Sequence, residues 1–201
     1  MKSFKINPAR YSLEKRLIKT FEKLPITSGK CLSIGCGNEL RYFSLTKRFN
    51  VDGVDILQPP KNTPSGFTYY QSDAANLPFK DSKYDLIIAI ESFEHIEKNT
   101  QAMDEVYRTL KNNGYFIMTT PTNWTWIFEF GRHGPHYYSK KNLENLVKQS
   151  GMKVEKIFPC GGILFWLVNI LKSWLSLVFY PLLGKKWWQI IDFLLIPLYY
   201  L

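Results

Sequence analysis

Cysteine is scarce in this chain of 201 residues: three, at positions 31, 36 and 160, without paired spacing. That excludes a disulfide framework and suits a reducing cytoplasm. Histidine is equally rare, and no Cys/His cluster has the spacing of a zinc site, so no metal is expected. The N-terminus lacks the unbroken apolar stretch of a signal peptide. No helix-turn-helix, RNA-binding or zinc-finger pattern accompanies the net charge of +9, so nucleic acid is not an expected partner. Acidic residues are sparse at both ends. Residues 1–24 carry seven Lys/Arg against two Glu, residues 132–201 nine against three, and the middle ten against twelve. Basic ends around a near-neutral centre fit an anionic membrane surface or an acidic substrate.

What is present centres on Cys31-Leu-Ser-Ile-Gly-Cys-Gly-Asn-Glu39. Cys31 to Ile34 has the composition of a short buried strand. Gly35-Cys36-Gly37 then breaks it, and a helix-compatible stretch, Glu39 to Arg48, follows. A strand that ends in glycines and feeds a helix makes a ligand cradle. Glycine permits the sharp turn and a close approach to the main chain, and the helix start offers free N–H groups. Residues 51–56 form a second strand that places Asp55 at its end, 18 residues after Gly37. A carboxylate there can accept both hydroxyl protons of a ribose.

Upstream, Leu13, Leu17, Ile18, Phe21 and Leu24 share one face of a helix that Pro25 stops. Downstream, Pro59, Pro60, Pro64 and Gly66 mark a loop. Phe67–Gln71 is a third strand. Tyr84–Ile90, apolar apart from Asp85, suits a central parallel strand covered on both faces. Residues 100–110 are helical, with a stop at Asn112-Asn113-Gly114. Tyr115–Thr120 is a fifth strand, Lys140–Gln149 a helix and Met152–Phe158 a sixth strand. This order predicts an α/β fold, a three-layer α/β/α arrangement on a mainly parallel sheet.

The stretches 32–38, 51–55, 73–79, 84–96 and 110–121 together resemble the class I S-adenosylmethionine-dependent methyltransferases, in the branch of the ubiquinone/menaquinone-type enzymes. The resemblance covers residues 28–158 and implies a Rossmann-like methyltransferase fold with S-adenosylmethionine as cofactor. It places Gly35, Cys36 and Gly37 against the methionine part of the cofactor. Asp55, with Ile56 beside it, holds the ribose; Asp73 and Ala74 meet the adenine. Ile90 and Glu91 flank the methionine end and face the substrate. Two positions depart from the family pattern: Ser33 stands where an acid is usual, and Glu39 where a third glycine is usual.

Methyl transfer needs alignment of nucleophile, methyl and sulfur, and an oxygen nucleophile must lose its proton. Glu91, His95 and His136 are the candidate catalytic groups. His95 also suits the fixing of its strand-to-helix loop. His133 and Arg132 suit an anionic group. Trp124, Trp126, Phe128 and Phe130 form a lid, a membrane-facing surface or core.

Residues 161–183 are close to the length of a membrane span, yet Asn169, Lys172, Ser173 and Ser176 draw a polar stripe along them. Lys185-Lys186-Trp187-Trp188 follows, an interfacial composition. A helix lying in the interface, or a shallow hairpin, fits better than a span; a sheet cover or dimer contact is the other reading. The expected organisation is an N-terminal amphipathic helix (1–27), a methyltransferase domain (28–160) and a hydrophobic C-terminal helical segment (161–201). The expected protein methylates a small or lipid-linked hydrophobic acceptor, peripheral on the cytoplasmic face of the membrane. Its rivals are a soluble small-molecule methyltransferase whose tail makes a homodimer, and a non-catalytic scaffold that keeps the fold.

Overall fold

The structure, a computed structural model, describes residues 11–37, 46–122, 135–160 and 163–184. Among these residues, five strands form one sheet: β1 (Lys30–Ile34), β2 (Asn50–Asp55), β3 (Phe67–Gln71), β4 (Tyr84–Ile90) and β5 (Leu110–Thr119). All four ladders are parallel, in the order β3-β2-β1-β4-β5. The sheet is the α/β arrangement expected. Burial explains the order. Leu86, Ile87, Ile88 and Ala89 of β4 are wholly buried, as are Leu32 and Ile34 of β1. These runs are apolar on both faces, and only a strand covered on both sides accommodates that. The half-exposed strands β3 and β5 form the edges.

Four α-helices lie among the described residues: α1 (Tyr11–Glu22), α2 (Asn99–Thr109), α3 (Lys140–Gln149) and α4 (Ile163–Leu183). Ala102, Met103 and Val106 of α2 and Leu146 of α3 pack into the main core with Tyr84, Ile87 and Phe93. Ser139 caps α3, its hydroxyl accepting from Asn142 N at 3.1 Å. The chain divides into two compact units: the sheet with α2 and α3, and α1 with α4. In the second unit the Arg16 guanidinium of α1 lies 4.6 Å above the Phe158 ring, just before α4. Among the described residues, no helix is long and apolar enough to cross a membrane.

Two expectations are corrected. Residues 152–158 form no strand. Met152 and Val154 alternate inward as a strand would, but among the described residues no backbone pairs with them, and alternation alone does not make a ladder. The helix before β5 ends at Thr109 rather than at the Asn-Asn-Gly stretch. Leu110 already pairs with Tyr84, and the register then shifts before Leu86 pairs with Tyr115. Asn113, at φ 63°, sits within this irregularity, so the turn chemistry marks a bulge in the strand and not the helix end. The expected helix at 39–48 falls largely outside the described residues, as do Glu39, the aromatic loop with Arg132 and His133, and residues 185–201.

Candidate functional site

The strand order reverses between β1 and β4, and in such a sheet the crevice opens at the carboxyl ends of the strands beside that reversal. Each strand tip there is held by polar bonds that its own sequence supplies. At the end of β1 the chain turns through Gly35 (φ 63°) and Gly37 (φ 60°), both left-handed. Gly35 N and Cys36 N both donate to Val54 O, at 2.9 and 3.3 Å, folding the turn over β2. A Cβ at Gly35 would collide with Cβ of Ser92, whereas one at Gly37 would meet open space. The first glycine therefore permits packing between strand tips. The second leaves the cradle open.

Asp55 closes β2 and organises the turn. Its Oδ2 accepts from Gly37 N at 2.7 Å and its Oδ1 from Leu57 N at 3.0 Å. Each oxygen retains acceptor capacity for a hydroxyl donor. Beside it Ile56 is 70% exposed, an unusual position for an isoleucine next to a carboxylate. Gln71 Nε2 donates to Ile56 O at 3.1 Å and the Tyr69 hydroxyl to Leu57 O at 3.0 Å, which fixes this segment. Cys36 lies against the same carboxylate. Burial first, then the negative charge of Asp55, pushes its thiol up to about 12, so it stays a neutral thiol at physiological pH.

At the end of β3, Asp73 folds its own loop: Oδ1 accepts from Ala75 N at 2.9 Å and its carbonyl from Asn76 N at 3.0 Å. Ala74 is buried. This loop is clamped from α2. Leu77 N donates to Glu105 Oε2 at 2.7 Å, while Arg108 donates to Phe79 O at 2.7 Å and Leu77 O at 3.2 Å. Arg108 also grips Glu105, holding that carboxyl below the usual range.

The tip of β4 is strained and clamped from both sides. Glu91 has φ 52°, a conformation that costs a non-glycine residue about 1–3 kcal/mol. Toward β5, Glu91 N donates to Thr119 O at 3.0 Å and is 3.2 Å from Thr119 Oγ1. The Thr119 hydroxyl in turn donates to Glu91 Oε1 at 3.1 Å. Toward β1, the Ser92 hydroxyl donates to Ile34 O at 3.1 Å. Ile90, the last residue of the strand, is buried.

The two described histidines follow this tip. His95 ends a 3-10 turn, Phe93–His95, with its Nε2 3.9 Å from Oε1 of the wholly buried Glu94. His136 N donates to Glu94 O at 3.3 Å, and its Nε2 is 3.2 Å from Glu97 O. A carbonyl oxygen only accepts, so the hydrogen of the neutral ring sits on Nε2 and Nδ1 carries the lone pair. Next to it, the Tyr138 hydroxyl accepts from Asn99 Nδ2 at 2.9 Å. Burial, opposed by that bond and joined by the charge of Glu94, pushes the Tyr138 hydroxyl up.

The structure thus gathers Gly35, Cys36, Gly37, Asp55, Ile56, Asp73, Ala74, Ile90 and Glu91 along the strand tips. His95 and His136 stand in the segments behind the tip of β4. Thr119, Ser92, Gln71, Glu105 and Arg108 were not evident from the sequence. Thr119 and Ser92 do share one signal: each is a small hydroxyl residue at the end of an apolar strand. The residues present fit S-adenosylmethionine. The open position at Gly37 leaves room for its chain, the Asp55 oxygens suit ribose hydroxyls, and the exposed Ile56 offers an apolar face for an adenine ring to cover.

Comparison with known proteins bears on this arrangement. A family model described as a methyltransferase domain matches residues 8–157. A ubiquinone biosynthesis O-methyltransferase from Rickettsia bellii is 32% identical over 127 residues, which is 58% of this chain and 51% of that protein. A fatty-acid O-methyltransferase from Mycolicibacterium smegmatis is 28% identical over 120 residues, 55% of this chain and 43% of the other. The chain spans about half the length of the curated relatives it matches. Among solved structures, an S-adenosylmethionine-dependent methyltransferase from Mesorhizobium loti superposes with a TM-score of 0.62 at 15% identity, covering 84% of this chain and 92% of that one. A methyltransferase in complex with the Haloferax volcanii Trm112 activator gives 0.65 at 16% identity, covering 77% and 73%.

Proposed function

The chain belongs to the S-adenosylmethionine-dependent methyltransferases, and on that premise we propose that it methylates an oxygen of a small or lipid-linked hydrophobic acceptor, working peripherally at the cytoplasmic face of a membrane. When bound, the cofactor supplies a methyl group made electrophilic by its sulfonium. The observation that carries the cofactor half of the reading is Asp55, whose Oδ2 takes Gly37 N at 2.7 Å between two left-handed glycines. One carboxylate thereby shapes the turn and faces the ribose. Relatives named for a fatty acid and for ubiquinone biosynthesis support the acceptor class, and both of their names specify O-methylation.

This chain's own residues have distinct tasks in that reading. Asp55 and Asp73 orient the cofactor by accepting hydrogen bonds from ribose and adenine. Ile56 excludes water from one side. Glu91, locked by Thr119, presents its carboxylate at the tip of β4 without reorganisation during reaction. His136 serves as the base through Nδ1, because Glu97 O occupies Nε2.

The test is calorimetric titration with S-adenosylmethionine and S-adenosylhomocysteine, with Asp55→Ala as control. Micromolar binding that the variant weakens by about one to two orders of magnitude supports the site, since a lost bond to a charged group is worth about 1.5–3 kcal/mol. Transfer of a labelled methyl to lipid extracts then tests the acceptor. A folded full-length chain that binds neither compound refutes the enzyme reading.

A further inference from the structure

An ordinary surface helix turns its polar side to water and its apolar side inward. In α4 large apolar side chains are exposed instead. Leu167, Leu171, Trp174, Val178 and Leu182 recur at intervals of four, three, four and four, and each is exposed; Trp174 is 64% exposed and Leu182 75%. At about 100° per residue they form a stripe about 80° wide along the whole helix. Ser173 and Ser176 lie on the far side and are only partly exposed. Toward the C-terminal end of the helix Leu177, Phe179, Tyr180 and Leu183 are exposed as well, so the apolar exposure widens beyond the stripe there. An exposed contiguous apolar stripe of this length marks a surface that another phase or partner covers.

Charge decides between the occupants. In the same compact unit, α1 and its exit expose Lys15, Arg16, Lys19 and Lys23. A second copy of this chain would bring the same cations and repel. An anionic bilayer would attract them. Trp174, within the stripe and exposed, has the amphipathic ring that settles at headgroup level.

We propose that the outward stripe Leu167–Leu171–Trp174–Val178–Leu182 is a bilayer-seating surface, on which α4 lies in the interface of an anionic membrane while the lysines of α1 bind its headgroups. This rests on the reading that the acceptor is met at a membrane, and it names the surface and the lipid charge. The stripe inserts its side chains at acyl-boundary depth, and the lysines add an attraction that salt screens.

Vesicle flotation of the full chain tests this, using phosphatidylcholine vesicles with and without phosphatidylglycerol. The wild type is expected to float with the anionic vesicles and at least tenfold less with neutral ones. A paired Leu171→Ser/Trp174→Ser variant and a paired Lys15→Gln/Lys19→Gln variant should each lose at least tenfold in partitioning. Both should keep the wild-type circular dichroism and cofactor affinity, which separates loss of seating from loss of fold. Flotation of both variants at the wild-type level would overturn the proposal. So would equal binding to neutral vesicles, or a wild-type dimer that ignores vesicles and becomes monomeric in the Leu171→Ser/Trp174→Ser variant. Flotation without cofactor binding would refute the enzyme reading and leave the seating surface standing. Cofactor binding without flotation would do the reverse.

Discussion

Ile87 of β4 and Leu171 of α4 are both large aliphatic residues, yet one is wholly buried and the other about half exposed. In the sheet unit, apolar residues encode burial: they close a core between β4, β1, α2 and α3, and polar residues are left at the strand tips. Along α4 the same chemistry is displayed outward. Hydrophobicity therefore carries two messages in this chain, and only its surroundings separate them. One is an instruction to fold and the other an offer of a surface.

Truncation at the two positions breaks the comparison most sharply. Ile87→Ala should cost about 2–5 kcal/mol in urea denaturation, since it removes transfer energy and leaves a cavity in the centre of the sheet. The next effect belongs to the strand tips. Gly35→Ala, which meets Ser92 at φ 63°, should cost about 2–4 kcal/mol. Gly37→Ala, at nearly the same φ but in open space, should cost only about 1–2 kcal/mol of strain. If the two cost the same, the packing of β1 against β4 at the tips is not what Gly35 provides.

The clamp on the Asp73 loop adds a pH dependence. The hydrogen bonds from Arg108 lower the Glu105 carboxyl, so folding favours its ionised form. Its contribution is complete above the unfolded value near 4.5 and is lost as pH falls through the lower folded value. Urea midpoints of wild type and Glu105→Gln should therefore differ at neutral pH and converge in acid. A constant difference down to acid pH would assign the effect to something other than ionisation.

Glu91→Gly should act in the opposite direction from most substitutions. Relief of the left-handed strain should raise stability by about 1 kcal/mol, less what the bond from Thr119 contributes, while methyl transfer falls. A stabilised variant with full activity would remove Glu91 from the mechanism. Smallest of all, Leu171→Ala should change stability by less than about 0.5 kcal/mol, because little of its contact is made within the chain. A loss comparable to that of Ile87→Ala would mean that α4 turns its apolar stripe inward.

Much of the sheet was legible in the residues. Glycine at 35 and 37, the aspartate ending β2 and the unbroken run 84–90 are local signals, and parallel α/β architecture follows from them with few choices left. Two local signals misled. Asn112-Asn113-Gly114 has helix-stop chemistry, yet its left-handed residue serves a bulge in β5, because pairing of Leu110 with Tyr84 ends the helix earlier. Met152–Val154 alternates as a strand would but has no ladder among the described residues, and a ladder partner is a non-local fact. In the candidate site, the residues at the strand tips could be read from motifs, whereas those that hold them in place could not. Thr119 reaches Glu91 across 28 positions, Glu105 reaches Leu77 across 28 and Ser92 reaches Ile34 across 58.

The amino-acid order by itself determined most of the strands and helices, where the glycine turn falls and which acids stand at strand ends, because backbone freedom and side-chain period act over a few residues. Tertiary structure alone decided that Glu91 is forced into a left-handed conformation between two neighbouring strands, that His136 spends Nε2 on a carbonyl, and which side of α4 faces out. Each of these depends on atoms distant in sequence, and short-range propensity has no access to what a fold brings beside a side chain.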